Sequence, residues 1–277
     1  MKTRFTILIL LLATTLTATS CDKDDDNNYR PNEKVIGTFN SKYPDAQHVE
    51  WEIKNNYNVA EFRNNGIKTE TWINSSGIWY MTESDIPFES LPEAVKTSFN
   101  ASEYARWRKE DVDKVERADM ETIYVIEVEQ GNQEMDLYYT GDGNLFKAVP
   151  DNDSDNYLPT SLPEEIKNFI NQTYDNAPII DMEIELGFIE VEIWDNNRKK
   201  EVIFAAKDNK WQLTTWEIRE NEVPADILNL IRSRYADYLI DDIDYEERAN
   251  GTNVYLFELE KGKEELQVVV DSEGNIL

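Results

Sequence analysis

One cysteine and one histidine stand among 277 residues, and that scarcity removes whole classes of chemistry. No second sulfur follows Cys21, so the chain beyond it closes no internal disulfide and must be held by its core. With His48 the only imidazole, no Ser–His or Cys–His pair and no soft metal site can be assembled, so no catalytic residue and no cofactor is assigned. Cationic residues are scarce too: 28 Lys plus Arg face 56 Asp plus Glu, a formal net charge of −28. Such a surface repels phosphate backbones, which excludes nucleic acid as a partner and favours basic partners, divalent cations or simple solubility.

What is present begins with a targeting segment. Lys2 and Arg4 precede an apolar run from Phe5 to Ala13, and small residues from Thr17 to Ser20 lead into Cys21. This reads as a secretory signal peptide over residues 1–20, too short and too one-sidedly flanked to span a bilayer. It resembles a bacterial lipoprotein signal, with Ala18 where Leu is usual. The resemblance implies lipidation of Cys21 and an outer-membrane lipoprotein, periplasmic or exposed on the cell surface, touching the membrane through its anchor only. An ordinary secreted protein with a free thiol is the other reading. Residues 21–29 carry Asp22-Lys23-Asp24-Asp25-Asp26, with nothing apolar to fold around, and read as an acidic tether. The pattern is similar to acidic tags that move lipoproteins to the outer face of the outer membrane; a plain spacer fits equally.

The remainder repeats. Trp79 is followed thirteen residues later by Pro92 and then by Phe99; Trp211 is followed thirteen later by Pro224 and then by Ile231. Pro163 with Ile166 and Ile170, and Pro31 with Val35 and Phe39, the latter slipped by one residue, extend the signature to four helices, with Pro expected in each first turn. Each helix is expected to end near an aromatic: Tyr43, Tyr104, Tyr174 and Tyr235. After each one the apolar period switches to two, as in Met182, Ile184, Leu186 and then Ile189, Val191, Ile193, with Asn and Gly turns between the runs. The expected fold is α+β: four units, each a helix plus a four-stranded antiparallel sheet, paired into two lobes with helices on one sheet face. The repeat breaks only at the polar segment 150–161, which reads as a linker between lobes at 30–149 and 162–277.

Gly77, Trp79, Thr82 and Glu83, followed by Ile86-Pro87 and then Leu91-Pro92 and Val95, resemble the PepSY-like exported lipoprotein family, related in fold to the β-lactamase inhibitor proteins. The second occurrence, Trp211, Thr214 and Val223-Pro224, lacks the Gly and the Ile-Pro. The resemblance implies helices on one face of a curved sheet and an opposite face open to a partner. It thus implies a non-enzymatic module that binds an exported or envelope protein, inhibiting or holding an exported enzyme.

Candidate sites are few. His48 is expected on an alternating strand with Glu50 and Glu52, opposite in phase to Val49, Trp51 and Ile53, with no partner for chemistry. Asp151, Asp153 and Asp155 alternate as calcium ligands do, but Asn156 stands where the loop needs Gly and Leu162 where it needs Glu. A calcium-stabilised structural or adhesin-like envelope protein is the alternative function that this segment suggests; a hydrophilic linker is its plainer reading. Trp72, Tyr138 and Trp194 fall on the polar phase of their strands and are the candidate partner-binding residues. Exposed aromatics amid charges serve as anchors, or else they pack across strands and stabilise the sheet.

Overall fold

The computed structural model describes residues 29–150 and 159–277. Four short helices, α1 (Glu33–Lys42), α2 (Glu93–Ala101), α3 (Glu164–Thr173) and α4 (Ala225–Arg234), each bury one i, i+4 pair: Val35/Phe39, Val95/Phe99, Ile166/Ile170 and Ile227/Ile231. Helices this short are marginal in water, so the packing of that stripe holds them in place. Pro92, Pro163 and Pro224 are the N-caps of α2, α3 and α4 rather than first-turn residues. In α1 the cap is Asn32, whose side chain accepts from the N–H groups of Lys34 and Val35, and this extra capping residue is why the Pro31 spacing is slipped by one.

Strands β1 (Gln47–Lys54), β2 (Tyr57–Asn64), β3 (Ile67–Ile73) and β4 (Trp79–Asp85) follow α1; β5 (Arg108–Arg117), β6 (Ile123–Gln130), β7 (Gln133–Thr140) and β8 (Leu145–Pro150) follow α2. They pair in chain order into one eight-stranded antiparallel sheet. The second lobe pairs β9 (Ile179–Glu185), β10 (Phe188–Asp195), β11 (Arg198–Ala205), β12 (Lys210–Glu217), β13 (Leu239–Arg248), β14 (Val254–Lys261) and β15 (Glu264–Asp271) into a seven-stranded antiparallel sheet. Among the described residues the expected sixteenth strand is reduced to a single bridge between Val270 and Ile276. The units merge within each lobe where β4 pairs with β5 and β12 with β13.

The repeated passage has a structural cause. Trp79 Nε1 donates to Thr82 Oγ1 at 2.8 Å, and the hydroxyl of Tyr43, the C-cap of α1, meets the same threonine oxygen. Trp211 Nε1 donates to Thr214 Oγ1 at 3.0 Å, and Tyr174, the C-cap of α3, reaches Thr214 at 2.6 Å. Thr82 and Thr214 are both buried. The spacing W-x-x-T is thus a polar latch fastening the end of each lobe's first helix to its fourth strand, and a buried hydroxyl needs such partners. The Gly of the first passage is also explained: at Gly77, with φ +84°, an added Cβ would lie 3.0 Å from the Lys34 carbonyl oxygen. Gly143 is tighter still, its Cβ falling 2.5 Å from the Ala94 carbonyl oxygen.

Beneath α1 lie Ala60, Phe62 and Ile73; beneath α2 lie Ile126, Val128, Leu137 and Tyr139. In the second lobe Ile189, Val191 and Phe204 pack with α3, and Phe257, Val268 and Val270 with α4.

A buried aromatic face, an acidic face and the junction of the lobes

The three aromatics on the polar phase do not share one fate. Trp72 is 7% exposed and Tyr138 2% exposed, and both belong to a cluster with Val59, Met81, Val115, Ile123 and Val125 that is separate from the residues under the helices. The expectation that these two rings stand open to a partner is therefore corrected. Alternation places them on the face away from the helices but does not tell whether that face is covered. Trp194 alone keeps part of its surface, on β10 opposite Lys199.

The cover comes from neighbouring strands of the same sheet, and beside it lies the junction with the second lobe. The Lys147 ammonium sits 5.1 Å from the centre of the Tyr138 ring. Arg117, in register with Met81, has a side chain 1% exposed and reaches into the second lobe. Its Nη1 donates to Asp181 Oδ1 at 2.6 Å and its Nη2 to the Ile180 carbonyl at 2.7 Å, while Lys147 Nζ lies 3.8 Å from Asp181. The Glu121 N–H donates to the Ile179 carbonyl at 2.7 Å, Lys167 pairs with Asp119 at 2.6 Å, and the Tyr57 hydroxyl donates to the Pro159 carbonyl. These contacts had no signal in the sequence, because ion pairs between residues 34 to 64 positions apart leave no periodic trace.

The corresponding face of the second sheet is acidic rather than apolar. Strand register sets Glu183 beside Glu190 and Glu192 beside Glu201, and carries Asp244 and Glu258 on the same face farther along. Lys199 Nζ lies 2.8 Å from both Glu192 and Glu201. Burial, then the nearby Glu201, Glu192 and Glu183, pushes the Glu190 carboxyl up to about 7. Burial, then Asp242, Glu201, Glu258 and Glu217, does the same to Asp244, also to about 7. For Lys199 burial pulls the other way, but Glu192 and Glu201 outweigh it and the ammonium is held charged.

The sign of the pH dependence follows. Both carboxyls bind their proton more tightly in the folded chain than in the unfolded one, where they ionise near 4.5 and 3.8. Stability therefore falls as pH rises from about 4 to about 7 and levels off above that. In chelator-containing buffer the melting temperature is expected to be higher at pH 5 than at pH 8, and the double variant Glu190→Gln/Asp244→Asn to flatten that difference by gaining stability at pH 8. An unchanged slope in the double variant would remove these two groups as its source.

At the tip of the β9–β10 hairpin Ile184, Leu186 and Phe188 are 63%, 57% and 46% exposed. Leu186 holds φ +51° and Gly187 φ +87°, the backbone of a tight hairpin turn that asks for Asn-Gly. The equivalent turns use Asn55-Asn56, Asn65-Gly66 and Asn196-Asn197, and Leu186 is the one aliphatic residue at positive φ among the described residues. Alternation alone puts Leu186 in a strand run; the signal that could have found it is the Leu-Gly pair where the other two-residue hairpin turns among the described residues begin with Asn or Gly.

His48 is exposed, with φ +54°, inside a bulge of β1 between Gln47 and Glu50, which breaks its expected alternation. A shallow depression beside α1, lined by Asn32, Glu33, Lys34 and Ser75, gathers no nucleophile and base. Cys21, the acidic tether up to residue 28 and the aspartates of 151–156 lie outside the described residues. Among the described residues no helix is long and apolar enough to cross a membrane.

Four helices, two of them latched through Thr82 and Thr214, on two antiparallel sheets define the class of fold. The model of the PepSY-like, beta-lactamase-inhibitor-like family matches residues 55–147 and 187–277. The chain belongs to that family. It is similar to a solved BLIP-like protein from Bacteroides fragilis NCTC 9343, with 33% identity over 50% of this chain and 100% of that one at a TM-score of 0.46. It is also similar to a DUF2874 family protein from Bacteroides ovatus ATCC 8483, with 33% identity over 44% of this chain and 89% of that one at a TM-score of 0.42. No protein of curated function matches.

Proposed function

We propose that this chain is a lipid-anchored, non-enzymatic protein-binding module of the cell envelope that holds or inhibits an exported enzyme, and that the β9–β10 hairpin tip makes the contact. The observation that carries the reading is Leu186. A left-handed backbone is unfavourable for an L-residue with a bulky side chain. Leucine stands there, exposed between Ile184 and Phe188, where asparagine or glycine would serve the fold better. Strain kept at an exposed apolar position is what selection for contact leaves behind. Glu183, Glu185 and Glu190 flank the tip, so the matching surface is an apolar cleft with a basic rim. Family membership supports the binding role, and the exposed Ile184, Leu186 and Phe188 stand outside the core. The lobes 30–149 and 162–277 are proposed as separate folding units, since the fully buried members of each hydrophobic cluster come from one lobe only.

The test uses the full chain in cells, with a photo-crosslinking residue at position 185. Leu186→Asn is expected to stabilise the fold by about 1 kcal/mol, roughly 2–4 °C in melting temperature, while weakening capture of the partner about thirtyfold. A variant that melts higher yet captures the same partner undiminished overturns the contact. Cys21→Ala is expected to move the chain from the membrane to the soluble fraction; a chain that stays membrane-bound overturns the anchor.

A further inference from the structure

The acidic face holds one arrangement that its general charge does not explain. Glu192 and Glu201 face each other across β10 and β11, and Glu190 lies two residues along the same face of β10. One oxygen from each of the three lies within 4.8 Å of the others. Calcium binds oxygen at about 2.3–2.6 Å, so oxygens on opposite sides of one ion stand about 5 Å apart, and this spacing fits around a single ion. The ligand set is all carboxylate, which suits a hard cation rather than zinc or copper.

A second, independent observation comes from Glu192 itself. The residue is 8% exposed, and its Oε2 is buried without a hydrogen-bond partner. Its other oxygen is taken by Lys199 Nζ at 2.8 Å, and the same ammonium lies 2.8 Å from Glu201. A buried carboxylate oxygen left unpaired is costly, and a cation in the cluster is the partner that would satisfy it. Lys199 supplies one positive charge against three carboxylates. Asp181, the neighbour of Glu192 on β9, is already engaged by Arg117 and Lys147, so those cations do not serve the cluster.

We propose that Glu190, Glu192 and Glu201 form a calcium-binding site in which the Lys199 ammonium is a tethered stand-in, displaced when the ion enters. Glu190 and Glu201 are half-buried, so solvent can supply the remaining oxygen ligands. This inference does not rest on the hairpin contact or on the lipid anchor, and it uses none of the aspartates of 151–156.

The full chain, freed of metal with chelator, is titrated with calcium chloride by calorimetry, and separately with terbium while Trp194 is excited, since that ring lies two residues from Glu192 on the same face. One ion is expected to bind with a dissociation constant on the order of 10⁻⁴–10⁻³ M. Glu192→Gln and Glu201→Gln are each expected to weaken binding at least tenfold. Lys199→Met is expected to strengthen it about tenfold and to make the melting temperature rise with calcium more than in the parent. If Lys199→Met binds calcium no more tightly than the parent, or if Glu201→Gln leaves the affinity unchanged, the site is overturned. Should Glu192→Gln fail to fold, the half-buried Glu201→Gln and Lys199→Met still decide the question.

Discussion

Asp181→Ala is expected to destabilise the full chain by about 3–5 kcal/mol, read as a lower midpoint in urea, because it leaves the Arg117 guanidinium buried without its counter-charge. The Arg117 side chain is 1% exposed and the Asp181 side chain 9%, so water cannot replace the lost partner. Lys147, with its side chain 8% exposed and 3.8 Å from Asp181, loses its nearer carboxylate by the same change and is left with Glu183 at 4.0 Å and the Tyr138 ring. Removing both charges is a different experiment. Arg117→Met/Asp181→Leu is expected to recover most of the loss, since a buried pair pays heavily for its own desolvation and an apolar pair of similar size does not. By contrast Lys167→Met, which breaks the more exposed Lys167–Asp119 pair across the same junction, is expected to cost less than about 1 kcal/mol. A double variant as unstable as Asp181→Ala alone would show that the pair holds the lobes through geometry that no apolar replacement restores.

Trp72→Ala and Tyr138→Ala are each expected to cost about 3–5 kcal/mol, the range for emptying a large aromatic site in a packed interior. The cross-strand reading of these residues would give about 0.2–1 kcal/mol, which assumes rings lying on an open sheet. Their exposures of 7% and 2%, and their packing with Val59, Met81, Val115 and Val125, decide for the larger value. Trp194→Ala, whose ring is only half-buried, is expected to fall well below both. Urea denaturation of the three variants checks the order. Losses under about 1 kcal/mol for Trp72 and Tyr138 would mean that the face is open after all.

Much of the architecture was legible because it is periodic. Apolar pairs four apart after a proline marked all four helices, alternation with Asn and Gly turns marked the strands, and the two Trp passages marked the places where units join. A helix buries a stripe and a strand buries a side, and both repeat at fixed intervals that a single chain displays. The passage around Trp79 and Trp211 could be seen twice without its purpose being visible, since the latch is completed by Tyr43 and Tyr174 from other elements.

The sequence by itself determined the scarcity of chemistry, the negative surface, the repeat and the phase of each side chain. Tertiary structure alone decided which phase is wet. Trp72 and Tyr138 share a parity with acidic neighbours, yet they are covered, because Val59, Met81, Val115 and Phe146 pack with them on that side and Lys147 lies over the Tyr138 ring. Glu192 and Glu201 sit nine positions apart in an acidic chain where many such pairs exist, and only the register of β10 on β11 sets them face to face around Lys199. Period fixes a residue's side of its own element; burial and charge pairing depend on what another part of the chain brings to that side, and one strand's pattern carries no record of it.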